Sequence, residues 1–198
     1  MCWSASVSIN TYIFGLFACV FAYMNNVINL STLFFNQSFM LIQLIEYFIW
    51  TNQFSNRIMS QIAYIAILMQ PIVGILTIEK TQVKNIGLVL YFIFLTALFV
   101  LNPWSSIDFR SIPAANGHLA WHWMKFTLPI LIVWMLFLSL RMILNKDWIT
   151  LGVVYILVIA SYIMYHKTLT SGSFWCWISN FIALFFIYKV FAKEFCTI

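Results

Sequence analysis

A chain of 198 residues that is 64% hydrophobic, 19% aromatic and only 8% charged has too little polar surface to cover a water-soluble core, so its natural solvent is a bilayer. The net charge of +5 is scattered through short connections rather than massed in a tail. It therefore reads as a set of orientation signals, and no nucleic-acid partner is expected.

Apolar runs recur at 7–27, 33–51, 58–78, 86–102, 120–144, 149–165 and 173–191. Each is close to the ~20 residues that cross a ~30 Å hydrocarbon core, and none alternates as barrel strands must. The expectation is an all-α, polytopic membrane bundle of seven transmembrane helices, forming a single domain over 1–198. Integral, multi-pass localisation follows. The connections are short except for 103–119, which carries Asp108, Arg110, Pro113 and Gly117. Arg57, Arg110, Lys125 and Lys167 fall on the side of the amino terminus, against Lys80, Lys84, Arg141, Lys146, Lys189 and Lys193 on the other. Four against six places the amino terminus outside and the carboxyl terminus in the cytoplasm. Met1 to Asn10 lacks the basic start of a cleavable signal.

In the second span, Asn36, Gln43, Glu46, Trp50 and Gln53 follow steps of seven, three, four and three, which puts them on one helix face. Glu46 is the only carboxylate inside an apolar run of spanning length. An ionisable group there is costly, which makes it the first functional suspect. Asn10 and Thr11 of the first span, Gln61 and Gln70 of the third, and Ser179 and Asn180 of the seventh are its candidate partners. Such a stripe serves either as interhelical glue or as a site where a carboxylate takes up a proton or a cation. Both readings stay open.

The third span carries Gln70-Pro71 with Gly74 one turn on, and the fifth carries Pro129, so both helices are expected to kink and free carbonyls. In the fifth span His118 and His122 stand four apart where the helix is expected to begin, facing one way, and His166 ends the sixth. Three nitrogens with a nearby carboxylate could hold zinc with an open position for water. Otherwise no cofactor is expected. Seven of the nine tryptophans, Trp3, Trp50, Trp104, Trp121, Trp123, Trp175 and Trp177, map to the outer side. They form either an interfacial belt or the wall of an outward-facing aromatic pocket. Cys2 and Cys176 share that side and are candidates for a disulfide, while Cys19 lies mid-span.

Known seven-span families fit unevenly. A retinal protein is not expected, because Lys189 lies at the end of the last span and no carboxylate occupies the third. Ceramidase-like hydrolases share the span count, but the HxxxH here is on the fifth span and no Asp is embedded. The blocks Met1-Cys-Trp-Ser4, Gln43-Leu-Ile-Glu46-Tyr-Phe-Ile-Trp50, Gly117-His-Leu-Ala-Trp121-His-Trp123 and Ser173-Phe-Trp-Cys176-Trp177 resemble those of an uncharacterised multi-pass family of giant DNA viruses and algae. That resemblance implies a small polytopic membrane protein and no particular chemistry.

Three functions are compatible with these residues. The first is a transporter, channel or receptor-like binder with an outer-facing pocket built from Glu46, Gln43, Trp50, Gln70, Asn180, Trp121 and Trp175. The second is a zinc-dependent lipid hydrolase using His118, His122 and His166. The third is a structural membrane protein of a virion or organelle. Expected partners are membrane lipids and a small solute, ion or lipid ligand, with homo-oligomerisation left open.

Overall fold

Short polar side chains set where several helices begin, by accepting from N–H groups that the first turn leaves unpaired. Ser4 Oγ accepts from Val7 N at 3.3 Å at the start of α1 (Ala5–Met24). Asn29 Oδ1 accepts from Thr32 N at 2.8 Å at the start of α2 (Leu30–Thr51), and Asp147 Oδ1 from Thr150 N at 3.2 Å at the start of α6 (Trp148–Tyr165). With α3 (Asn56–Leu76), α4 (Thr81–Leu101), α5 (Leu128–Leu144) and α7 (Trp175–Phe195) they make seven helices. This is a computed structural model that describes residues 3–195, apart from the side chains of 173–175, 194 and 195. It is helical apart from turns and one two-stranded hairpin, β1 (Ser111–Pro113) and β2 (Leu119–Trp121).

The fifth helix departs from expectation. It begins at Leu128 and not near residue 120. Pro129 therefore sits in its first turn, where a missing N–H is harmless, and produces no mid-helix kink. The residues before it pair antiparallel, Ser111 with Trp121, Ile112 with Ala120 and Pro113 with Leu119. Asn116-Gly117 turns the chain, with Gly117 at φ +78°, a conformation that suits a residue without Cβ.

Five helices are long and apolar enough to cross a membrane: α1, α3, α4, α6 extended to Thr168, and Cys176–Lys193 of α7. α2 has the length, at 22 residues, but is interrupted by Asn36, Gln37, Gln43 and Glu46. α5 has 17 residues, about 26 Å of helix. α2 and α3 are the centre of the packing. α1 lies against α2 and α7, while α3 also meets α4 and α5. The main core joins Phe35, Phe39, Ile45, Ile67, Trp134 and Leu138, and a second cluster of Cys19, Ala22, Phe186 and Val190 locks α1 to α7. α4 and α6 lie at the periphery and turn apolar side chains outward, with Ile156 and Ile163 each 68% exposed. Exposed apolar faces of that extent suit a hydrocarbon surrounding and not water.

Pro71 cannot donate to the carbonyl four residues earlier, so α3 is weakened around Ile67 and Leu68. The buried hydroxyl of Tyr91 on α4 donates to Leu68 O at 2.7 Å, tying the peripheral helix to that place. Tyr91→Phe should lower stability by about 1 kcal/mol, the usual worth of such a bond. Thermal unfolding of the purified protein in detergent measures it, and an unchanged midpoint would show that the bond contributes nothing.

Candidate functional site

Glu46 lies about three-quarters of the way along α2, on the same face as Gln43, and both are almost completely buried, at 1% and 0% exposure. From α7, the sulfur of Cys176 stands 2.7 Å from Oε1 of Gln43 and 3.8 Å from Oε2 of Glu46. Cys176 is disulfide-bonded, so these are contacts of a sulfur without a proton. Cys2, the other half of the expected bridge, lies outside the described residues. The Trp121 indole N–H faces the Glu46 carboxyl group from β2, without meeting the geometry of a formed hydrogen bond. Oε1 of Glu46 has no hydrogen-bond partner among the described residues. Their ion pairs are both made by Asp108, with Arg110 and His122.

Trp121 reaches this depth because the hairpin is fastened at three places. The Asn56 side chain, at the first residue of α3, donates from Nδ2 to Ser111 O at 2.7 Å and accepts from Ser111 N at 3.0 Å. The Ser111 hydroxyl lies 2.9 Å from Ser60 Oγ and accepts from Trp123 Nε1 at 2.9 Å. Trp121 N donates to Leu169 O at 2.8 Å. The Trp121 ring stacks on Trp123, with centroids 4.8 Å apart and planes 16° apart, and rests on Gly172. A Cβ at Gly172 would overlap the six-membered part of that ring. Beneath Trp123, Tyr64 is ringed by Phe99, Trp104, Phe109 and Phe126, with centroids 5.7 to 6.4 Å away. Trp121 and Trp123 are thus packing elements of the hairpin, both fully buried.

The remaining residues singled out in the sequence are dispersed. Gln70 donates from Nε2 to Ser38 O at 3.3 Å, tying α3 to α2, and Ser38 is eight residues from Glu46, about 12 Å along the helix. Asn180 donates from Nδ2 to Thr11 Oγ1 at 3.3 Å, tying α7 to α1. Trp50 lies one turn beyond Glu46, half-buried against the core. Trp175 begins α7, and its side chain lies outside the described residues.

The histidines do not share a helix face, because His118 and His122 flank β2. His118 meets the edges of Trp3 and Tyr165, at 6.4 and 6.0 Å between centroids. His122 Nδ1 is 3.8 Å from Asp108 Oδ2. His166 stacks on Tyr162, its Nδ1 lying 2.8 Å from Tyr162 O. Among the described residues no three His, Cys, Asp or Glu side chains are grouped to hold a metal ion.

A second feature escaped the sequence reading altogether. A cavity of about 340 Å³ lies among α2, α5, α6 and α7, at the end of the bundle opposite the hairpin. It penetrates as far as Phe39 on α2 and Ile178 on α7. Phe39 precedes Gln43 by four residues, so about 6 Å of helix separates the cavity from the Glu46 cluster. Asn36, from the same polar stripe as Gln43 and Glu46, lines it.

No protein family, curated protein or solved structure matches the chain.

Two predictions arise from the hairpin. Asn56→Ala removes both bonds to the Ser111 backbone and should loosen 111–121 by about 1 to 3 kcal/mol. Faster amide hydrogen exchange in that segment, with α2 unchanged, is the expected reading, and uniform protection would refute it. His118 is held below its ordinary value of 6.5, chiefly because partial burial disfavours the imidazolium. Its contribution is complete above about pH 6.5 and declines as the pH falls toward the lower folded-state value. The protection factors of the hairpin amides, which remove the intrinsic pH dependence of exchange, should therefore fall between pH 7.5 and 5, and His118→Asn should flatten that dependence.

Proposed function

We propose that this chain is a seven-span, multi-pass integral membrane protein, amino terminus outside and carboxyl terminus cytoplasmic. It acts as a transporter or receptor-like binder in which Glu46 responds to a proton or a small ligand. The observation that carries the reading is the position of Glu46, a buried carboxyl group with an oxygen unbonded among the described residues, facing the indole N–H of Trp121 in the hairpin. A glutamine would tie helices equally well without the cost of an ionisable group in hydrocarbon. Above it stands a short hairpin fastened to α3 by polar bonds and packed into the core through Leu119, Trp121 and Trp123.

The cavity at the opposite end supports the same reading. The cavity of about 340 Å³ lies at the end away from the hairpin, and about one turn of α2 separates it from the Glu46 cluster. This is the arrangement expected of a compartment reached from one side at a time. Gln70 and Asn180, bonded to Ser38 and Thr11, act as helix ties instead.

Glu46→Gln tests the proposal in reconstituted liposomes. The variant should retain the fold by circular dichroism and lose proton-coupled or solute flux by on the order of tenfold, equal to about 1.4 kcal/mol. Glu46→Asp should restore part of it. Flux of protons, ions and solutes that is identical in wild type and Glu46→Gln would remove the support for Glu46 as the responding group.

A further inference from the structure

The cavity opposite the hairpin has a chemical grain that Glu46 does not explain. Its depth is mainly apolar, walled by Phe39, Leu138, Val154, Ile178 and Ile182, with Asn36 and Ser139 the polar residues beside them. Its mouth carries Arg141, from the last turn of α5, and Lys189 of α7. Ile178 and Lys189 are eleven residues apart on one helix, so the pocket runs about 16 Å from apolar depth to basic rim. It is long and narrow for its volume of about 340 Å³.

Both cations are held in place without an ion pair among the described residues. Arg141 donates from Nη2 to Thr32 Oγ1 at 2.7 Å, and its guanidinium lies 5.6 Å from the Phe35 ring centroid. That leaves guanidinium N–H groups for another acceptor. The Lys189 ammonium stands 4.6 Å from the Phe185 ring centroid. Cation–π contact positions a charge without neutralising it. Asp147 is the acid among the lining residues, and one of its oxygens already caps α6. Glu79 acts on Arg141 electrostatically from outside the lining without forming an ion pair among the described residues, so the lining residues themselves carry two cations against one acid.

Its origin lies in the packing. α6 meets α5 closely, but α6 and α7 are not among the closely packed pairs, and the space between them is left open behind α2.

We propose that this cavity binds a single-chain anionic amphiphile. The chain lies among Phe39, Leu138, Ile178 and Ile182, and a carboxylate or phosphate head is held at the rim by Arg141 and Lys189. One extended alkyl chain fills a narrow pocket of this length. Bidentate recognition suits an arginine facing either oxyanion. The inference concerns a site at the other end of the bundle from Glu46 and does not depend on the role of that residue.

The test uses the full-length protein in phosphatidylcholine nanodiscs, with equilibrium binding of four probes: palmitate, palmitoyl-lysophosphatidate, palmitoyl-lysophosphatidylcholine and inorganic phosphate. Saturable one-to-one binding of the two anionic amphiphiles is expected, and the tighter of them shows whether the head is a carboxylate or a phosphate. The double variant Arg141→Gln, Lys189→Gln should weaken that binding by roughly tenfold or more. Ile182→Trp, which fills the pocket and keeps both charges, should abolish it, providing an answer if the double variant does not fold. Glu46→Gln should bind as wild type does, which separates this site from the proposed function. Equal affinity for lysophosphatidylcholine, displacement of palmitate by equimolar phosphate, or unchanged binding in both cavity variants would each overturn the proposal.

Discussion

The paired hydrogen bonds between the Asn56 amide and the backbone of Ser111 are the constraint on which the upper part of the molecule rests. An asparagine side chain can satisfy a donor and an acceptor of one extended residue at once, so it takes the place of a third strand beside β1. Once Ser111 is fixed, its hydroxyl orients Trp123, the ladder fixes Trp121, and the Trp121 indole N–H faces the Glu46 carboxyl group. Polar bonding in the connection thus determines what lies above a carboxyl group in the helical core. This reverses the usual arrangement, in which a rigid scaffold carries permissive loops.

Helix composition and the polar face of α2 were legible in the residues themselves, because seven long apolar runs admit few other structures. The stripe from Asn36 to Glu46 also reads correctly as inward-facing, with all three of its first members buried. The error lay between residues 119 and 127. Leu119, Ala120, Trp121, Trp123, Met124 and Phe126 extend the apolar run of α5, so hydrophobicity alone prolongs that helix toward its amino end. Asn116-Gly117 before the run and Pro129 after it were the contrary signals, one turning a hairpin and the other starting a helix. Misplacing that boundary put His118 and His122 on a helix face they do not share. Asn56, Ser60 and Ser111 left no trace in the pattern, because a polar residue near a helix end is ordinary until its partner, 51 or 55 positions away, is known.

The cavity was illegible for a different reason. It is produced by the divergence of α6 from α7, and divergence is a property of how apolar faces meet, not of any residue in them. Arg141 and Lys189 read simply as orientation charges near span ends. Both are that and something more, since each is also held over an aromatic ring beside a hollow. The molecule therefore has two unlike ends. One is packed with tryptophan around the hairpin, while the other holds an apolar cavity with Arg141 and Lys189 at its rim, and the polar face of α2 runs between them.

Gly172 gives this arrangement a mechanical character. Most buried rings are gripped by neighbouring side chains whose rotamers must change before the ring can leave. On the Gly172 side, Trp121 lies against bare backbone. Gly172 lies in the short 3-10 turn Ser171–Phe174, and the missing Cβ there admits the ring to a contact that any other residue would block. Because Trp121 is fully buried in the main core and stacked on Trp123, the hydrogen bonds of the hairpin set where the ring stands while apolar burial holds it there.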